Sequence, residues 1–176
     1  MNNKSLTHSA ISISLVLVSF MLFKGAANII NSIIVPIIFY INYAKFKLKD
    51  YLLMILAVFI LSFLFFFKQL FFIIFYAILA WFLYYSFEKK INFLLRTIIF
   101  AAAFLFGFVT TINITDMVIG TALQKALASA AAGSNLGLIL LYVVTSILIA
   151  VMLNFLGTQL NKRLKEIYFL SIINII

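Results

Sequence analysis

A single histidine, His8, four carboxylates and no cysteine are the whole supply of conventional catalytic groups in this 176-residue chain. Disulfides, thiolate chemistry and cysteine metal sites are therefore excluded, and one histidine cannot build a multi-histidine metal centre. Asp50, Glu88 and Glu166 each stand beside a lysine at the edge of an apolar run, which reads as solvated charge. His8, among Asn, Ser and Thr, reads as an interfacial or capping residue. No carboxylate or histidine falls inside a long apolar segment, where an intramembrane acid, base or ion relay would need one. The expectation is a protein that is not an enzyme and uses no metal or other cofactor.

What remains is hydrogen-bonding chemistry. Asn28, Asn31, Lys68, Gln69, Thr110, Thr111, Asn113, Asp116 and Asn135 would all stand at one end of the molecule if the chain crosses a bilayer six times. Amides and hydroxyls gathered there could hold a small polar solute, with Asn28, Asn31, Thr110, Asn113, Asp116 and Asn135 as the candidate binding residues.

The elements that must position these groups follow from composition. With 66% hydrophobic and 10% charged residues, the chain reads as an integral membrane protein, a single transmembrane domain over residues 1–176. Thirteen Lys and Arg against four acids would suggest nucleic acid in a soluble protein. Here the bases gather between apolar runs and mark topology instead, so a lipid bilayer is the expected surrounding and no nucleic acid is expected.

Asp50 to Glu88 is almost unbroken apolar sequence, about 57 Å as one helix, against a hydrocarbon core of about 30 Å. Lys68-Gln69 in its middle marks a hairpin tip, giving spans 51–67 and 70–87 and sparing the ammonium a place at mid-bilayer. The phenylalanines around the tip, Phe63 to Phe75, read as lipid-facing or packing residues, and Trp81, Tyr84 and Tyr85 as an aromatic belt. A further span covers 91–111, with Arg96 snorkelling to the interface, and the last covers 136–156, closed by Gly157. "AAAF" (Ala101–Phe104) and "LNFLG" (Leu153–Gly157) are candidate sites of close helix contact.

The first forty residues read as two short spans, 9–27 and 30–43, with Pro36 inside the second. One long tilted or broken helix, giving five spans in all, is the rival. The small residues Gly25 to Ala27 imitate a signal-peptide cleavage site, but a retained first helix is expected because apolar sequence resumes at once. Between the last two spans, residues 115–132 read as a short amphipathic helix on the outer surface, capped by Thr115 or Asp116 and ended by Gly133. The fold class expected is an all-α six-helix transmembrane bundle, five spans being the alternative.

Ten basic residues then fall on one side (Lys4, Lys45, Lys47, Lys49, Lys89, Lys90, Arg96, Lys162, Arg163 and Lys165) and three on the other (Lys24, Lys68 and Lys125). By the positive-inside rule the chain is a multi-pass protein of the inner (plasma) membrane with a cytoplasmic C-terminus.

This layout, with the opening "KSLTHSAISISLVLV" and the basic ending "LGTQLNKRLK", resembles the S component of energy-coupling factor vitamin transporters. The resemblance implies a membrane-embedded subunit that captures a small molecule and relies on separate ATPase and coupling subunits. It also implies that Ala10 and Ser14, four apart on the first helix, contact the coupling subunit. The alternative is a structural or assembly subunit of a larger membrane complex, such as secretion or cell-envelope machinery. Either way other membrane protein subunits are expected as partners.

Overall fold

The structure, a computed structural model, describes residues 3–24, 28–131 and 133–173. Residues 25–27, where the sequence resembles a cleavage site, lie outside the described residues. Among the described residues seven α-helices follow one another: α1 (Asn3–Leu22), α2 (Asn31–Lys45), α3 (Leu48–Phe65), α4 (Leu70–Glu88), α5 (Phe93–Ile119), α6 (Leu123–Ala130) and α7 (Asn135–Ile173). No strand occurs among the described residues, so the all-α expectation holds.

Five helices among the described residues, α1, α3, α4, α5 and α7, are long and apolar enough to cross a membrane. The sixth, α2, has 15 residues and a length of about 22 Å, short of the hydrocarbon core. It is nevertheless the central helix, packed by α1, α3, α4 and α7. Pro36 is buried in its second turn, where the neighbours exclude both water and lipid.

The rival reading of residues 9–43 as one long helix is overturned, because the chain reverses between Leu22 and Asn31. Ser19 at the far end of α1 hydrogen-bonds Asn31 at the start of α2, while Ser12 bonds Asn42 near its end. The two helices are therefore antiparallel. Ser5 donates to Asp50 at 2.9 Å, and the His8 ring lies 6.1 Å from Phe46, which places the start of α1 beside the α2–α3 turn.

The hairpin tip falls where Lys68-Gln69 marks it. Phe66, at φ −137° and ψ 49°, ends α3, a 3-10 turn spans Phe67–Gln69, and α4 begins at Leu70. At the other end of α4, Lys90 takes the left-handed conformation (φ 52°) and Asn92 caps α5 by accepting from the Leu95 amide at 2.8 Å.

The last two spans differ from expectation in length. α5 runs on to Ile119, so residues 115–119 belong to it rather than to a surface helix, and Gly120 closes it at φ +70°. The surface helix α6 is correspondingly only eight residues long. α7 does not stop at Gly157 but runs for 39 residues in all, roughly 60 Å, and its basic stretch packs on α2, with Leu164 buried and Asn161 accepting from Tyr40 Oη at 3.4 Å. Gly157 continues the helix because its missing side chain admits Leu83 and Phe87, whose atoms would lie 3.1 Å from an added Cβ. "LNFLG" is thus a close-contact site, as its small residue suggests.

The core is a continuous aromatic and aliphatic column containing Phe20, Phe39, Tyr40, Phe72, Tyr76, Phe100, Phe104 and Ile112. Its outer surface is strongly apolar, with Leu64, Phe65, Leu94, Phe106, Leu136 and Ile139 among its exposed side chains. An exposed apolar coat of this extent around a packed core is what a lipid surrounding requires.

Candidate functional site

Three polar systems interrupt this apolar bundle. The first ties α1 to its neighbours through serines seven apart, Ser5, Ser12 and Ser19, a spacing that keeps them on one helix face. Ser19 donates to Asn31 Oδ1 at 2.6 Å, and Asn31 Nδ2 donates to the Phe23 carbonyl at 2.9 Å. Asn42 Nδ2 donates to Ser12 Oγ at 2.9 Å and to its own helix at the Ile38 carbonyl. Each asparagine is buried and bonded through both its oxygen and its nitrogen, so these groups hold helices together.

The second system lies near the opposite face, between α5 and α7. Arg96 does not snorkel outward. Its guanidinium turns across to α7, where Nε donates to Asn154 Oδ1 at 2.5 Å and an Nη donates to Thr158 Oγ1 at 3.1 Å. The Phe87 ring stacks beneath it at 4.0 Å. Asn154, fully buried, completes the link by donating to the Phe93 carbonyl (2.8 Å) and Thr97 Oγ1 (2.6 Å). Neutral oxygens and an aromatic face thus hold the cation, which explains why it leaves the interface.

The third system is an open cavity of about 520 Å³ at the end opposite the basic helix ends. Phe20 from the end of α1, Lys24 just beyond that helix, and Phe65, Phe66, Phe67, Lys68 and Gln69 from the α3–α4 turn line it. Phe20 meets Phe66 edge-on at 5.9 Å and forms its floor with Gln69, both buried, while Phe65, Phe67 and the two lysines are exposed.

The residues expected to bind a solute are placed differently from one another. Asn31 is in the serine ladder. Asn28 accepts from the Ile30 amide at 2.8 Å and so shapes the entry to α2. Thr110 is exposed, bonds the Phe106 carbonyl of its own helix, and borders a shallow apolar groove of about 310 Å³ between α4 and α5. Asn113 and Asn135 are exposed. Asp116 caps α6, one oxygen accepting from Thr121 Oγ1 and from the Leu123 amide and the other from the Gln124 amide. The six residues therefore do not line one common cavity. Thr115, the other capping candidate, bonds back to the Thr111 carbonyl within α5. Ala10 and Ser14 share the exposed face of α1 with Leu6, Ile11, Leu15 and Val18.

Of the residues at the cavity, the sequence places Lys24, Lys68 and Gln69 all at this end, but only Lys68 and Gln69 stand in the polar group singled out there. The approach of Lys24 to Lys68 depends on α1 ending against the α3–α4 turn, for which the one sequence signal is the Phe20–Phe66 pairing of two unremarkable phenylalanines. No family model, curated protein or solved structure matches the chain.

Proposed function

We propose that this chain is a non-catalytic, membrane-embedded subunit that captures a small molecule and passes it on with the help of partner membrane proteins. The observation that carries this reading is the 520 Å³ cavity, which is of the size that small-molecule sites have, roughly 300–1,000 Å³, and combines an apolar wall with a few polar groups. The basic ends of α2, α4 and α7 face the cytoplasm in this proposal, under the positive-inside rule, and the cavity opens on the outer side. The exposed face of α1 with Ala10 and Ser14 is the surface for a coupling partner, since small residues allow helices to approach closely. The same face also suits the alternative of a subunit that only assembles with others.

One experiment separates the two. Lys47→Cys and Lys68→Cys, each on the cysteine-free background, should be labelled from opposite sides of the membrane. Protein purified in mild detergent should then release a stoichiometric small molecule on denaturation and carry an ATPase and a coupling membrane protein. A stable complex with neither of these and no small molecule would refute capture, and labelling of Lys47→Cys from outside would refute the orientation.

A further inference from the structure

We propose that the ligand of the cavity between α1 and the α3–α4 turn is a single-chain anionic amphiphile, its carboxylate or phosphate head held between Lys24 and Lys68 and its hydrocarbon chain lying on the phenylalanine wall. This rests on the capture reading and goes further by assigning the chemistry of the ligand.

Charge selects the head. Two cations line the cavity and none of its lining residues is acidic. Lys24 and Lys68 are two of only three basic residues at this end of the bundle, so their meeting at one cavity is not the result of a generally basic surface. An anionic head is attracted to both ammonium groups and meets no like charge among the lining residues. Ammonium donors also form their strongest hydrogen bonds with ionised oxygens.

The wall selects the chain. Phe20 is 1% exposed and closes the inner side against Phe66, whereas Phe65 (71% exposed) and Phe67 (43% exposed) stand open to the surroundings. A small polar solute would engage the lysine side of the site and leave the rings to bilayer lipid, with Phe67 meeting Phe63 edge-on at 5.3 Å, while a plain hydrocarbon would leave the exposed lysines to water. A molecule with both parts covers both surfaces at once.

Position and size agree with this. The lysines mark the bilayer boundary, since an ammonium deeper in the hydrocarbon would be costly. A chain can therefore enter sideways past Phe65 and Phe67 while its head stays at the water interface. A volume of about 520 Å³ suits one chain rather than a whole two-chain phospholipid. The phenylalanines around the hairpin tip thus have a recognition role beyond the lipid-facing one that the sequence suggests.

The test uses full-length protein in nanodiscs of neutral phosphatidylcholine and radiolabelled palmitate. Saturable binding near one palmitate per protein is expected, weakened about tenfold or more by Lys24→Gln with Lys68→Gln, each lysine supplying a hydrogen bond to a charged group. Lys68→Arg, which keeps the charge, should bind nearly as wild type, and Phe66→Ala should reduce the gain in affinity from laurate to palmitate. Lysophosphatidate competing as well as palmitate would identify a lipid-derived head as an equal source, and palmitate alone competing would identify the free acid; both support the site. Monoolein, neutral and single-chained, competing equally would overturn it, as would a double glutamine variant that binds like wild type. If the purified protein releases a neutral or cationic small molecule and does not bind palmitate, this inference fails while capture stands. If it releases nothing and does not bind palmitate, both fail.

Discussion

Replacing Asn154 with leucine tests whether the Arg96 network is what locks α5 to α7. The substitution removes three interhelical bonds, to Arg96 Nε, the Phe93 carbonyl and Thr97 Oγ1, while keeping a side chain of similar size. The two neutral bonds are worth about 0.6 kcal/mol each by the average for membrane helices. The bond to the guanidinium adds about 1.5 kcal/mol, at the low end for charged groups because Thr158 and Phe87 remain to Arg96. The sum, about 3 kcal/mol, corresponds to roughly a hundredfold shift in the unfolding equilibrium. Equilibrium unfolding in mixed micelles, read by the fluorescence of Trp81, the one tryptophan, measures it. In an Arg96→Met background the same substitution should cost only about 1 kcal/mol, because the charged bond is already gone. Strict additivity of the two substitutions, or an Asn154→Leu protein within about 0.5 kcal/mol of wild type, would refute the reasoning.

Two further outcomes follow from the packing. Gly107→Ala should destabilise the bundle by about 1–3 kcal/mol, since an added Cβ collides with the edge of the Phe75 ring, which Phe104 holds at 5.3 Å; Phe75→Leu should recover most of the loss in the same unfolding assay. Asp116→Ala should speed hydrogen exchange at Leu123 and Gln124 while moving the global midpoint by no more than about 1 kcal/mol, the usual scale of a lost helix cap, and unchanged protection at those two amides would remove the capping role.

The elements legible in the sequence are those whose signals are local. Lys68-Gln69 marks a turn because a charge in a 39-residue apolar run has nowhere else to go, and Gly133 with Ser134 marks the start of α7, where Ser134 Oγ accepts from the Gly137 amide. The end of α7 is misread for the opposite reason. Gly157 looks like a stop from its neighbours in sequence, yet it serves Leu83 and Phe87, seventy or more residues away. Arg96 is similar: snorkelling is the sensible expectation for a lone cation near a helix end, and only Asn154, 58 residues on, changes it. The outer-end amides could be assigned to an end but not to a face. Asn31 turns inward to Ser19, whereas Asn113 and Asn135 turn outward, and nothing in their own sequence surroundings distinguishes them. The Ser5, Ser12, Ser19 heptad was visible in principle, because hydroxyls repeated every seven residues on an apolar helix predict polar partners across from them.

The short helix α2 bears on how such a protein comes to be made. Alone it is a poor candidate for insertion, too short for the hydrocarbon and carrying Asn31, Ser32 and Asn42, which lipid cannot satisfy. Its partners, Ser12 and Ser19, lie in α1, which leaves the ribosome first. The first two helices are therefore best understood as one hairpin delivered together, the earlier segment acting as a built-in escort for the later one. A serine lost from α1 would show itself in the biogenesis of α2, in molecules that never reach the bilayer correctly, before it showed in the stability of those that do.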